Sequence, residues 1–172
     1  ENGVGFGLNE LFDLKLDRLK LLTFSQQAEH DFAGVKCGIM DMFASMMGRK
    51  DQVIRLDCRS LEHSYFPLDL GDYQLLLCNT KVAHSLAESA YNKRREECQE
   101  GVSQVKQLFP EVKSLRDVTG QMLEKAKGEM APVVYQRCAY VIQENNRLIK
   151  TCEALADHDL TAVGQFLYGS HD

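Results

Sequence analysis

An α+β fold is predicted: part of a mixed sheet with helices in the first half of the chain, then a mainly helical lobe. Two observations carry this reading. Between residues 52 and 79 the hydrophobic period drops from that of a helix to that of a strand, in "QVIRLDC" and again in "YQLLLCN". From Ala83 onward apolar residues recur only at helical spacing. The change falls near Asn79 to Val82, so the sequence divides into a first unit, residues 1–82, and a second, residues 83–172. At 172 residues there is enough chain for one ordinary domain or two small lobes with a sizeable core.

The elements follow in order. "ENGVGFGLNELFDL" sets Val4, Phe6, Leu8, Leu11 and Phe12 in a helix-like pattern with no capping residue ahead of it. The first residue is therefore expected to lie inside an element, and the chain to be an excised piece of something longer. Asp17 to Phe32 gives a second amphipathic helix, with Leu19, Leu22, Phe24 and Ala28 near helical spacing, ended by Gly34 to Gly38. A third helix runs to about Met47. In "QVIRLDC" the alternation places Ile54, Leu56 and Cys58 on one face of a strand. A shorter strand is expected around Ser64 to Pro67. The run from Tyr73 to Asn79 is almost continuously apolar, which predicts an interior strand with both faces covered. Beyond it, Tyr91, Cys98, Val102 and Val105 form one helical stripe, and a short helix follows around Ser114 to Lys127. Val134, Cys138, Val141, Ile142, Leu148, Ile149, Cys152 and Leu155 form a long stripe, and Leu160 to Tyr168 the last helix.

Composition excludes several classes of function. The formal net charge is −5, where a nucleic-acid or anionic-membrane partner would call for a clustered cationic face. Lys93 to Arg95 are followed at once by Glu96 and Glu97, as on a solvated helix face. No apolar run approaches the roughly 20 residues that span a bilayer, so the expectation is a cytoplasmic protein with neither nucleic acid nor membrane as partner. The 6 cysteines lack a C-x-x-C pair and stand mostly among apolar neighbours, which predicts small core residues rather than zinc ligands or a disulfide framework.

One stretch resists a purely structural account. "VKCGIMDMFASMMG", residues 35–48, holds a single acid, Asp41, in an apolar and sulfur-rich run. Asp41 could cap the helix that follows Gly38. Met42 and Met46 stand four apart, as packing residues on one helix face do.

Three stretches together carry a resemblance: "QQAEHDFAGVKCGIMDMF" (26–43), "IRLDCRSLEHSYFPLD" (54–69) and "CNTKVAHSLAESAYNKRREEC" (78–98). In order and spacing they resemble the galactokinases, of the GHMP sugar and metabolite kinase superfamily. The stretch from Val134 to Asp172 resembles the helical region ahead of that family's third conserved motif. The resemblance implies a GHMP-kinase-like fold and ATP-dependent phosphorylation of the anomeric hydroxyl of galactose, with ATP and Mg²⁺ as cofactors. It implies that "GFGLNELF" is the helix entered from a Gly/Ser-rich phosphate loop, and that neither this loop, the N-terminal sugar signature nor the C-terminal glycine-rich motif lies within these residues. Such a piece is expected to be inactive alone and to self-associate.

Asp41 matches the family's catalytic aspartate, which would accept the proton of the attacking hydroxyl. Gly38 matches a position whose backbone touches the sugar, or else it only starts the helix. Tyr91 matches an aromatic that contacts the sugar, or is a core residue of its stripe. Glu29 matches an acid near Mg²⁺, or is a solvated helix residue. Two departures stand out: Met42 where the family has Gln, and Ala83 where it tends to have a basic residue before His84. They leave open a kinase for N-acetylgalactosamine or galacturonate, or a non-catalytic sugar sensor on the same scaffold. A helical binding module unrelated to kinases would lack the sheet.

Overall fold

The computed structural model describes residues 1–79, 81 and 87–171. The chain forms two compact units, Glu1–Gln74 and Leu75–Asp172. The expected boundary at 82/83, together with Ala83 and His84, lies outside the described residues.

The first unit contains α1 (Asn2–Leu11), α2 (Arg18–Ala28), a π turn (Glu29–Ala33), α3 (Met40–Met47) and the strands β1 (Gln52–Leu56) and β2 (His63–Pro67). Asp17, in extended backbone, starts α2 by accepting the Lys20 N–H at 2.8 Å. The buried face of α2 is Leu21, Leu22 and Ser25, whereas Leu19 and Phe24 are exposed. Of the expected stripe only Leu22 is in the core, because the buried face centres on Leu21, Ser25 and Leu22, and Leu19 and Phe24 flank it on either side.

In α1 the expected pattern is inverted. Val4, Phe6, Leu8, Leu11 and Phe12 are exposed, and the buried residue is Asn9. Its amide accepts from the Leu16 N–H at 2.9 Å and donates to the Leu16 carbonyl at 3.3 Å, so burial costs it no hydrogen bond. Gly5 faces Leu21 of α2, leaving α1 to pack through its small and polar side.

β1 and β2 pair antiparallel from Gln52 opposite Pro67 to Leu56 opposite His63. Ile54 and Leu56 pack against the core of Leu22, Ile39 and Phe43, as their alternation predicts. Cys58 lies past the end of β1 and is exposed. The Phe43 ring meets His63 edge-on at 5.0 Å, tying α3 to β2.

The interior strand expected over 73–79 is absent. Leu75, Leu76 and Leu77 are 63%, 86% and 97% exposed in irregular backbone. An apolar run states a demand for cover but not which strand supplies it, and the described ladder ends with β1 and β2.

The second unit is helical: α4 (Ala87–Leu108), a 3₁₀ turn (Leu115–Asp117), α5 (Gly120–Ala126), a 3₁₀ turn (Lys127–Glu129), α6 (Pro132–Ala156) and α7 (Leu160–His171). The single short helix expected over 114–127 is thus a 3₁₀ turn followed by α5. Pro132 opens α6, where its missing N–H costs nothing. Val105, Val112, Leu123, Val134 and Cys138 centre the core, with Cys98 and Val102 packed against it. Leu148 and Ile149, expected on the buried stripe of α6, are exposed. Tyr140 Oη donates to the Ser170 carbonyl at 3.2 Å and Ser170 Oγ to Glu144 at 2.6 Å, so α7 returns along α6 as a helical hairpin. Among the cysteines, Cys138 and Cys152 are buried, Cys37 and Cys98 half-buried, and Cys58 and Cys78 exposed, so the expectation of core thiols fails for the last two.

Candidate functional site

The site is built around α3, which carries Asp41 in its first turn. An eight-residue helix is too short to stand alone, so its position depends on what grips it. At the start, Asn2 Nδ2 donates to the Met42 carbonyl at 2.8 Å. At the end, where carbonyls lack helical partners, Arg18 Nη1 donates to Met46 at 3.2 Å and Tyr65 Oη to Met47 at 2.8 Å. The Arg49 guanidinium covers the Tyr65 ring at 3.8 Å. Phe43, Met42, Met46 and Met47 hold the inner face of α3 in the core.

Asp41 is exposed, and it is not the helix cap. The chain enters α3 with Ile39 at the N-cap in helical backbone, and no side chain closes that end. The cap reading fails because the helix starts one residue before Asp41, which puts the carboxylate inside the first turn, in the favourable field of the helix N-terminus. Gly38 precedes that entry, exposed, with open space where a Cβ would stand.

The loop before α3 is held from α2. Gly34, at φ 72° in the left-handed region that glycine favours, ends the π turn. Gln26 Nε2 donates to the Cys37 carbonyl at 3.2 Å, and His30 Nε2 lies 2.8 Å from the same oxygen. A carbonyl only accepts, so His30 carries its proton on Nε2. Glu29, half-buried at the junction of α2 and the π turn, accepts the Val35 N–H on its main-chain oxygen at 3.3 Å.

Two of the expected residues bear on the Cys37 thiol. Burial pushes the Cys37 thiol up, and the carboxylates of Glu29, then Asp41 and Glu1, push it further. Glu29 and Asp41 therefore both act on the same half-buried sulfur. Tyr91 belongs to the second unit, exposed on α4. Met42 packs against the core, so the thioether at that position serves packing.

The braces of α3 and the clamp on the Cys37 carbonyl were not legible as functional. Gln26 and His30 are four residues apart on one face of α2 and the π turn, a spacing that could have shown both aimed alike. Asn2, Arg18 and Tyr65 gave no local signal, since each acts across the unit.

Residues 1–49 match the family model described as GHMP kinases N terminal domain. The chain is 37% identical to a galactokinase of Thermotoga maritima over 172 residues, 100% of this chain and 47% of that protein. To a galactokinase of Streptococcus mutans it is 40% identical, over 98% of this chain and 43% of that protein. A crystal structure of Lactococcus lactis galactokinase complexed with galactose superposes with a TM-score of 0.91 at 32% identity, covering 99% of this chain and 44% of that one. The chain thus has the fold of the corresponding segment of a galactokinase, and it spans about half the length of the curated relatives it matches.

Proposed function

We propose that the protein to which these residues belong is a galactokinase, which transfers the terminal phosphoryl group of ATP to the anomeric hydroxyl of galactose, giving galactose 1-phosphate and ADP. The single observation that supports this most is the end-to-end similarity in sequence and fold to galactokinases, one of them solved with galactose bound. Around it, the local geometry supports the reading. Phosphoryl transfer needs positioning and a group that takes or orients the proton of the nucleophile. Asp41 is that group in this reading. It is exposed, it is not occupied in capping α3, and α3 is gripped along its length. Its carboxylate takes the hydroxyl proton as the sugar oxygen attacks. Gly38 offers backbone to the sugar where no side chain intrudes. The assignment of Tyr91 as a sugar contact rests on its match to the family aromatic.

ATP and Mg²⁺ belong to the same proposal. Carboxylate oxygens suit Mg²⁺, and the assignment of Glu29 as the acid near the ion rests on its match to the family. Among the described residues no cluster of three or more His, Cys, Asp or Glu occurs. Glu29 would hold it, directly or through water, and the ion would offset charge on the transferring phosphoryl group. No helix among the described residues is long and apolar enough to cross a membrane, which accords with a cytoplasmic enzyme.

The test is ADP release with galactose and Mg·ATP, using the full open reading frame that contains these residues. Asp41→Asn should lower turnover by about 10²-fold or more. The same change should move stability by no more than about 1 kcal/mol, the worth of a charge in an exposed first turn. Near-normal turnover in the variant would remove Asp41 from the mechanism. A wild type that ignores galactose but accepts N-acetylgalactosamine or galacturonate would reassign the sugar, and binding without turnover would make the protein a sensor.

A further inference from the structure

The loop over residues 34–39, which leads into α3, contains Gly34 and Gly38, so its own backbone does little to fix its course. The hold comes from its neighbours. At the start, the Val35 N–H donates to the Glu29 carbonyl at 3.3 Å, and the Cys37 N–H closes a tight turn on the Val35 carbonyl at 2.8 Å. Further on, two side chains converge on one atom: Gln26 Nε2 stands 3.2 Å and His30 Nε2 2.8 Å from the Cys37 oxygen. Both side chains are half-buried, and neither belongs to the apolar core of this unit. His30 lies in the π turn, an uncommon helical form found mostly at functional sites.

A carbonyl oxygen has two lone pairs, so it accommodates both donors. The consequence reaches past Cys37. The peptide between Cys37 and Gly38 is planar and trans, so the Cys37 oxygen shares a plane with the Gly38 nitrogen and Cα. Pinning that oxygen from two directions fixes the tilt of the whole plane, and with it the course of the backbone at Gly38. Water would satisfy a part-buried loop carbonyl; two side chains on it add a fixed direction.

We propose that Gln26 and His30 are positioning residues for the sugar: by clamping the Cys37 carbonyl they set the Cys37–Gly38 peptide at the angle at which the Gly38 backbone meets a hexose. The inference rests on the galactokinase reading, in which Gly38 offers its backbone to the sugar and Asp41 takes the proton. Both residues act through Cys37 rather than by touching the sugar. Asp41 keeps its place without them, because α3 is braced separately by Asn2, Arg18 and Tyr65. A backbone contact to the sugar is made before and during phosphoryl transfer alike, so loosening it weakens sugar binding and leaves the chemical step nearly untouched.

The test uses the full open reading frame, with galactose and Mg·ATP varied in turn. His30→Ala and Gln26→Met each remove one donor and should raise the KM for galactose about 2- to 10-fold, the worth of one hydrogen bond, and the double variant by more than about tenfold. Turnover number and the KM for ATP should stay within about twofold of the wild type. His30→Gln, whose amide nitrogen can stand where Nε2 stands, should recover most of the loss. Hydrogen exchange over residues 34–39, a readout independent of activity, should quicken in the double variant. Unchanged exchange would overturn the clamp. Quickened exchange with an unchanged galactose KM, a matching fall in turnover, or no recovery in His30→Gln would overturn the positioning role. A wild type inert towards galactose would overturn the galactokinase reading and the sugar role with it, while the exchange still decides the clamp. Should the double variant unfold, the single variants decide by the same measures.

Discussion

Cys138 is fully buried where α6 packs on α4, and its burial pushes the thiol up to about 11, with Cys98 and Glu100 adding to the effect. In the unfolded chain the same group ionises near its ordinary value of 9.0. Between those values the unfolded state can release a proton that the folded state retains, so the stabilising contribution is complete below about pH 9 and is lost as pH rises towards about 11. The loss should amount to roughly 2–3 kcal/mol, the free-energy equivalent of moving the thiol from 9.0 to about 11. Thermal unfolding followed from pH 7.5 to 11 should show this alkaline fall, and Cys138→Ala should flatten it. An identical slope in the variant would assign the fall to other groups. That a cysteine here is core was legible from its apolar neighbours; that Cys58 and Cys78 are not was hidden, because Cys58 falls past the end of β1 and the run holding Cys78 forms no strand. Asp41 shows the same division. Its proposed role as base rests on the surrounding motif, whereas the capping role inferred from Gly38 failed, since where a helix begins is decided by backbone geometry at Ile39.

At the scale of elements, the crossing of α4 and α6 depends on Gly101. A Cβ at that position would overlap Cys138 Sγ and press on Val134 Cγ1 at 3.2 Å. Replacing a helix-interior glycine by alanine ordinarily gains about 1 kcal/mol. Overpacking a tight contact costs about 1–3 kcal/mol, so Gly101→Ala should be net destabilising. In a Cys138→Ala background the sulfur is gone and the helix preference should show through, making the same substitution neutral or stabilising. Denaturant melts of the four proteins in this cycle measure it, and an equal cost in both backgrounds would mean the helices can shift apart without penalty. The pair Arg137 and Glu97, 3.2 Å apart, spans the same crossing. The long helices of this unit were legible because helical spacing of apolar residues marks a buried stripe whatever neighbour covers it, although Leu148 and Ile149 fall outside that stripe. The strands were less so. Alternation revealed β1, and its short partner was found within a residue, but the apolar run at 73–79 looked like a strand while its pairing partner could not be read from local pattern.

At the scale of the whole molecule, the exposed apolar surface matters most. Val4, Phe6, Leu8, Leu11 and Phe12 on α1 and Leu75 to Leu77 lie open in this chain, more than isolated surface hydrophobes would explain. A stretch of unpaired apolar backbone such as 75–77 is also a ready template for pairing with another copy. The 172-residue chain should therefore self-associate, and static light scattering across a concentration series should show mass rising above the monomer. A strictly monomeric chain at high concentration would refute the association alone. Activity follows a separate argument. On the proposed reading these residues supply the base, the Gly38 backbone and one acid for the metal, but they contain no Gly/Ser-rich loop to cradle the phosphates, and they cover 47% of a relative such as the Thermotoga maritima galactokinase. Since this chemistry depends mostly on positioning, the chain by itself should not release ADP from Mg·ATP and galactose. Turnover within about tenfold of the full open reading frame, a gap of only about 1.4 kcal/mol in barrier, would place the nucleotide site within these residues after all.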